Sequence, residues 1–448
     1  CADGDRDPCG RGGAVRGLDV WVEKLTPDGR TLWSARLGGP MHDRAYAVET
    51  DAAGNVYVAG RAGPDFPTTE GALQRRFAGD RNVTEAYGPQ DGFAAKLSPE
   101  GRLVWSTYFG TPGPGFVRDL DVDPFGHVVL ALSRVMPWPA QQAHVTPGAF
   151  QERHPGERAA LVAKLAPDGS RVLWATWLGG SGVSGYQPTV RVEPATGVVH
   201  VAMGTRSTDD PVTPDAFQPE SGGGVDLHLA RLSPDGSRLL YGTYFGGSGN
   251  EGSDTHYLAL DAEGRDVLAA GTGSADMPVT EGAFRTTLGG AYDLLVARLG
   301  RDGALEASTY VGGAEGEIGE GVAVDARGRV YVAAGVGSTD FPTTTGAELA
   351  GERDLALVVV EPDLRGLAFS TLVGGPGDEN GRGLALEPRT GAVAVVGEVR
   401  GAGFPVRGGA ASGFGGERDG LVVGFERLGT ADASGAQAPA SRAASSRR

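Results

Sequence analysis

The sequence predicts an all-β fold: a single β-propeller of four-stranded antiparallel blades, with six blades preferred to seven. Three observations predict it. A unit of about 65 residues returns along the chain. Each unit holds short runs rich in Val, Leu and aromatic residues between Asp/Gly turns. Glycine (75 residues) and proline (28) are abundant without a collagen period, which suits many short strands and tight turns.

The segment from Val22, VEKLTPDGRTLWSARLGG, returns as AAKLSPEGRLVWSTYFGT, VAKLAPDGSRVLWATWLGG, LARLSPDGSRLLYGTYFGG and VARLGRDGALEASTYVGG. Its basic position passes through Lys24, Lys96, Lys164, Arg231 and Arg298, then drifts to Val359 and Gly424, at spacings of 72, 68, 67, 67, 61 and 65 residues. A second pattern alternates with it: DAAGNVYVAG from Asp51, DPFGHVVLAL from Asp123, DAEGRDVLAAG from Asp261 and DARGRVYVAAG from Asp325, with longer versions at Glu193 and Glu387. In the first blade, strand A spans 45–50, B 55–60, C 91–97 and D 103–108. The A to B and C to D links are tight turns, such as Asp51 to Gly54 and Pro99 to Gly101, where glycine supplies the backbone freedom.

Charge and cysteines bound the function. A net charge of −16 disfavours nucleic acid and anionic lipid as partners, because both would be repelled. Apolar residues make up 40% of the chain, enough for a sizeable core, and no apolar run is long enough to span a bilayer. The first residue is Cys1, as in mature bacterial lipoproteins, which it resembles; there that cysteine is acylated. A Cys1–Cys9 disulfide closing a small loop and a fragment boundary are the alternatives. The acylated and disulfide readings favour an exported protein, since both cysteines precede the repeats. Asn82-Val83-Thr84 is a glycosylation sequon.

At VAKLAPDG, WSTYFG, GNVYVAG, DFPTTEGA and DFPTTTGA, the chain resembles the bacterial SBBP-type β-propeller repeat family, over about residues 15–428. The resemblance implies a propeller in a secreted or surface protein and brings no catalytic residues.

Blade number follows from counting strands. The chain offers six A, six B, seven C and six D strands. The N-terminal C and D strands, 19–25 and 31–36, lack an A and B before them, whereas 382–398 supplies A and B at the other end. The expectation is therefore a last blade closed by both termini, with one surplus C strand on its outer edge. Residues 1–18 form an N-terminal segment and linker, 19–428 the propeller, and 429–448 a disordered Ala/Ser/Arg tail.

Residues that recur at one place in the repeat serve blade geometry. Trp33, Trp105, Trp174, Tyr241 and Phe369 share a D-strand position and read as inter-blade packing. Asp19, Asp91, Asp226, Asp293, Asp354 and Asp419 open C strands and read as caps. Departures from the repeat are the site candidates. The B to C links (61–90, 134–158, 204–225 and 272–292) carry most of the loop mass on one face, where binding residues concentrate.

Several D to A loops are acidic: His42 with Asp43; Asn250, Glu251 and Asp254; Glu315 and Glu317; Asp378, Glu379 and Asn380; loops 109–116 and 179–187 contribute no acid. Converging carboxylates and amides would suit a calcium ion at the channel mouth, and a solvated acidic rim is the alternative. Asp119, Asp121 and Asp123 read as strand alternation, because Pro124 stands where a calcium loop needs glycine. No Ser/His/Asp set or His cluster can be assembled from spacing.

Three functions follow. The first is an exported non-enzymatic scaffold, likewise a monomer, binding a protein or polysaccharide through its long-loop face. The second is a calcium-dependent hydrolase with its site at the channel mouth. The third is a structural spacer of an adhesin.

Overall fold

The computed structural model of the chain describes residues 17–79, 88–110, 115–135, 144–254, 256–406, 418–426, 428 and 442–446. Cys1, Cys9 and the Asn82 sequon lie outside the described residues. A hairpin, β1 (Val20–Leu25) and β2 (Thr31–Leu37), comes first. Blade 1 is β3 (Arg44–Thr50), β4 (Val56–Ala62), β5 (Asp91–Leu97) and β6 (Leu103–Tyr108). Blade 2 is β7 (Phe116–Val122), β8 (Val128–Val135), β9 (Ala159–Leu165) and β10 (Val172–Leu178). Blade 3 is β11 (Tyr186–Val192), β12 (Val199–Thr205), β13 (Asp226–Leu232) and β14 (Leu239–Phe245). In blade 4 the first strand is broken into β15 (Glu251–Gly252) and β16 (Leu258–Leu260), followed by β17 (Asp266–Thr272), β18 (Asp293–Leu299) and β19 (Leu305–Val311). Blade 5 is β20 (Glu317–Val324), β21 (Val330–Val336), β22 (Asp354–Val360) and β23 (Leu367–Val373). Blade 6 is β24 (Asp378–Leu386), β25 (Val393–Arg400), β26 (Asp419–Phe425) and β27 (Arg442–Ser446). Each blade is an antiparallel meander, and the protein is a six-bladed β-propeller.

Contacts divide the chain into two compact units. The first comprises Cys1–Lys24, Leu32–Ser221 and Leu227–Phe245, and so holds blades 1 to 3. The second comprises Leu25–Thr31, Gly222–Asp226 and Gly246–Arg448, and holds blades 4 to 6.

Burial explains the composition of the strands. In β12, β13, β17, β18, β21 and β22 every residue is buried. A strand covered on both faces has no reason to alternate, so these read as runs of Val, Leu and Ala. The last strands begin half-exposed and finish buried, as in β10, β14 and β19.

The recurring tryptophans lock one blade to the next, as their repetition predicts. In the first unit Trp33, Trp105 and Trp174 donate their indole N–H to the carbonyls of Pro99, Pro167 and Pro234, at 2.8, 2.9 and 2.9 Å. Each ring lies over the turn glycine of the next blade: Gly101, Gly169 or Gly236, at φ of 80°, 66° and 67°. A Cβ there would meet the ring at 2.4–2.6 Å, so glycine is required both for φ and for the contact. In blade 4 Ala307 replaces the tryptophan, and the Arg298 guanidinium reaches the Pro362 carbonyl instead.

The chain ends differ from the closure expected of them. β1 and β2 pair only with each other, and the fourth strand of the last blade is β27, paired with β26 from Gly420↔Ser446 to Gly424↔Arg442. The C-terminal segment expected to be disordered thus contributes a strand. The hairpin instead packs Val20, Val22 and Leu37 into the cluster of Val56, Phe66, Phe93 and Tyr108 of blade 1. Trp33 fixes it there through the same contact to a proline carbonyl that links complete blades. The strand count alone could not choose between two C strands competing for one edge.

Candidate functional site

The propeller departs from its own regularity at one register of the first strand in each blade. Ala45 pairs with Gly60 and Ala47 with Ala59, which leaves Tyr46 as an extra residue. Arg118 is extra between Val117 and Asp119, Glu320 between Gly319 and Gly321, and Arg382 between Gly381 and Gly383. Blade 3 is irregular at Gln187, whose φ is 45°, and blade 4 breaks its strand between Gly252 and Leu258. A bulge re-aims one side chain and commonly accompanies a functional position. Here its occupant changes from blade to blade, from Tyr to Arg to Glu.

The second strand supplies a matching place. Ala62, Thr272, Val336 and Val399 each pair with the aspartate that opens the third strand, so Arg61, Gly271, Gly335 and Glu398 are equivalent. Glycine stands there in blades 4 and 5, and blades 1 and 6 carry opposite charges.

In the second unit these places build a salt-bridge nest. The Arg382 guanidinium donates to Glu320 at 2.7 Å and Asp254 at 3.0 Å through Nη1, and to Glu398 at 3.1 Å through Nη2. Burial works against its charge, but the carboxylates outweigh it and raise its pKa. Burial would likewise raise Glu398, yet Arg382, Arg418 and Arg400 hold it below the usual carboxylate range. Asp254 comes from the break in the first strand of blade 4, where His256 sits at φ 51° and its carbonyl accepts the Val322 N–H at 3.1 Å.

In the first unit the same places build a basic and aromatic cluster. The guanidinium carbons of Arg118, Arg44 and Arg61 lie 4.2, 4.8 and 5.7 Å from the centroid of the Tyr46 ring, and Arg61 is also 5.2 Å from Phe116. Arg61 and Arg118 are buried, Tyr46 is half-buried and Arg44 is exposed. Arg44 and Arg61 stand directly opposite each other in the ladder.

The acids named from the sequence serve their own loops. Asp43, Glu251, Glu317 and Glu379 occupy one place in four blades and accept the N–H of Gly39, Gly247, Gly313 and Gly375, at 2.7, 3.0, 2.9 and 2.8 Å. Asp43 also takes the Gly63 N–H at 2.9 Å, and Glu251 takes the hydroxyls of Thr272 and Ser274. Burial pushes Asp43 up to about 7 and raises Glu251, Glu317 and Glu379. Asn250 and Glu315 are exposed, Asp378 faces Arg400 at 3.9 Å, and Asn380 is buried. Only Asp254 enters the Arg382 nest. Among the described residues no group of three or more His, Cys, Asp or Glu is placed to hold a metal ion, and four of the residues expected as calcium ligands, Asp43, Glu251, Glu317 and Glu379, staple their own loops.

The strand-opening aspartates are caps, as expected: Asp91 takes the N–H of Ala78 at 2.6 Å and Asp293 that of Gly289 at 2.9 Å. Asp119 and Asp121 reach into blade 3, accepting the N–H of Val190 at 3.0 Å and Val192 at 2.7 Å, while Arg191 pairs with Asp119 at 2.8 Å.

No family model matches the chain, and no curated protein does. Among solved structures, a protein of unknown function from Dyadobacter fermentans is 12% identical and has a TM-score of 0.43, covering 91% of this chain and 98% of that one. Kuenenia stuttgartiensis hydrazine synthase is 9% identical with a TM-score of 0.42, over 82% and 83% of the two chains. The Neurospora crassa Pan2 WD40 domain is 10% identical with a TM-score of 0.40, over 85% and 82%.

Proposed function

We propose that this chain is an exported, non-enzymatic scaffold that binds a protein or polysaccharide through the face bearing its long loops. A β-propeller supports a scaffold or binding role in general, because rigid strands carry variable loops. The observation favouring binding is where the variation falls. Arg44 and Phe116 begin first strands and Arg61 stands one residue from the end of a second strand, so each lies at the strand end that meets the D to A and B to C loops. Four of the acids that could have served a hydrolase, Asp43, Glu251, Glu317 and Glu379, are occupied as loop staples. The resemblance of the repeats to the SBBP type favours the exported compartment.

A glycan array and a pull-down from envelope extract, both with the soluble propeller, test the reading. Binding that disappears when the loops 64–90 and 136–158 are replaced by short turns is the expected result. Binding that survives the replacement, or hydrolysis of an array glycan, would overturn it.

A further inference from the structure

We propose that two pairs of buried carboxyls, Asp293 with Glu317 and Asp354 with Glu379, each share one proton, whose departure as pH rises loosens the junctions between blades 4 and 5 and blades 5 and 6. This goes beyond the scaffold reading and does not depend on it.

The geometry repeats at both junctions. The aspartate opens the third strand of one blade, β18 or β22, and the glutamate stands at the start of the first strand of the next, β20 or β24. All four side chains are buried. A Cβ on Gly312 would collide with the Asp293 carboxyl and also with Glu317 Oε2, so the two carboxyls meet at one point. A Cβ on Gly374 would collide with the Asp354 carboxyl, and the N–H of the next residue, Gly375, donates to Glu379 at 2.8 Å. Asp354 Oδ1 and Glu379 Oε1 have no hydrogen-bond partner among the described residues. Two carboxylates can only accept, whereas a protonated carboxyl brings an O–H, so one proton supplies the donor this junction lacks. Blade architecture does not call for the acids. Between blades 2 and 3 the same two places hold Ala159 and Ser184, and a Cβ on Gly179 would meet those side chains instead.

The groups facing the pairs leave them without a neutralising cation. Arg285, whose guanidinium donates to the Gly312 carbonyl, favours the Asp293 carboxylate, and Asp340 opposes it. The Tyr310 phenol lies within electrostatic reach of Asp293, and the Ser338 hydroxyl favours the Glu317 carboxylate. Asp378 adds a negative charge near Glu379 and itself faces Arg400 at 3.9 Å. The N–H groups of Ala350 and Gly351 favour the Asp354 carboxylate. Burial outweighs these influences and raises all four carboxyls. Each aspartate carboxylate further raises its glutamate, so the proton belongs to the pair. A carboxyl raised on folding contributes stability that is full below its unfolded pKa and lost as pH rises through the folded one.

The test uses the full chain, Glu317→Gln, Glu379→Gln and the double variant. Glutamine keeps an acceptor for the glycine N–H and offers an N–H in place of the shared proton. Hydrogen exchange in residues 312–317 and 374–379, corrected for the intrinsic rate, is compared at about pH 5.5 and about pH 8, with urea unfolding alongside. In the parent, protection of both segments and the urea midpoint should fall between the two conditions. Each single variant should flatten the response of its own segment, and the double variant that of both. Infrared difference spectra of parent against Glu379→Gln at the lower pH should carry the band of a protonated carboxyl. Asp354→Asn reads the same junction should Glu379→Gln not fold. Equal pH responses in parent and folded variants, or no protonated-carboxyl band, would overturn the proposal. So would protection by calcium chloride of the parent but not of Glu379→Gln at the higher pH, because a cation would then close the pair.

Discussion

Arg118 and Arg382 occupy the same place, the extra residue in the first strand of a blade, yet their surroundings are opposite in kind. Arg382 is held by three carboxylates, and a second strand supplies one of them, Glu398. Arg118 lies over a phenol ring shared with two more arginines, and the second-strand place corresponding to Glu398 holds one of these, Arg61. The backbone therefore fixes where a side chain is presented, while the side chains gathered around that place decide its surroundings.

The largest effect is expected at the nest. Arg382→Leu removes the cation shared by Asp254, Glu320 and Glu398, and Glu320 is only 2% exposed. Breaking a buried pair by removing one partner costs about 3–5 kcal/mol, and partial solvation of Arg382 places this case toward the lower end. Urea denaturation near neutral pH should show the loss. The pH dependence carries a sign. Glu398 is held below its ordinary value in the folded protein, so its stabilisation is present above the unfolded pKa and lost as pH falls through the folded one. The gap between parent and variant should narrow as the solution is acidified. A gap that widens would mean the carboxylates are not what Arg382 holds.

Much of this architecture is legible in the sequence, and the comparison shows where legibility stops. Trp33, Trp105 and Trp174 announce their role by recurring, as do the strand-opening aspartates. The bulge residues do not recur in type, so a search for repeated identity passes over them. Their signal is a large polar residue between small ones, as in Gly381-Arg382-Gly383 and Gly319-Glu320-Gly321. Arg61 is hidden further. Counting ten residues from the turn aspartates reaches Arg61 from Asp51, Gly271 from Asp261 and Gly335 from Asp325. Aligning by the visible Ala-Gly instead sets Gly60 against Gly271 and conceals the substitution. The acidic loops misled in the opposite way: Asp43, Glu251, Glu317 and Glu379 share a place, and that sharing marks them as scaffold. The hairpin competition at the chain ends was beyond reach, because Asp19 and Asp419 open equally good third strands.

A smaller effect tests whether the first unit hides a carboxylate that would make its cluster resemble the nest. Asp91 opens β5 beside Gly92, which faces Arg61 across the ladder. Burial pushes its carboxyl up to about 7 despite the N–H groups of Ala78 and Gly79. A cation holding it would have lowered it. The stabilisation tied to its bound proton is full below the unfolded value of 3.8 and is lost as pH rises through about 7. Asp91→Asn keeps an acceptor for the same N–H groups without the charge. It should leave stability unchanged near pH 4 and raise it by about 1–2 kcal/mol near pH 8. Destabilisation near pH 8 would instead make Asp91 an anion serving the arginines and erase the contrast between the two units.

Replacing Arg118 should cost far less than replacing Arg382. Arg118→Leu loses the cation–π contact with Tyr46 and keeps apolar bulk at a buried place, so a net loss of about 1 kcal/mol is expected in urea. A loss as large as that at Arg382 would show the two bulges to be equivalent after all.

The smallest effect belongs to Arg44, and its sign is the informative part. Arg44→Ala removes an exposed side chain directly opposite a like charge. Relief of that repulsion is worth a few tenths of a kcal/mol, and the lost contact with Tyr46 is of similar size at an exposed site. Salt separates the two. At about 0.02 M ionic strength the repulsion is scarcely screened and the variant should equal or exceed the parent in stability; at about 0.5 M the Debye length falls below 5 Å and the advantage should vanish. Arg382→Leu should respond in the opposite sense, since salt weakens the attraction that the parent loses on substitution. Parallel salt responses for the two variants would show that Arg44 stands in a field of carboxylates, as Arg382 does.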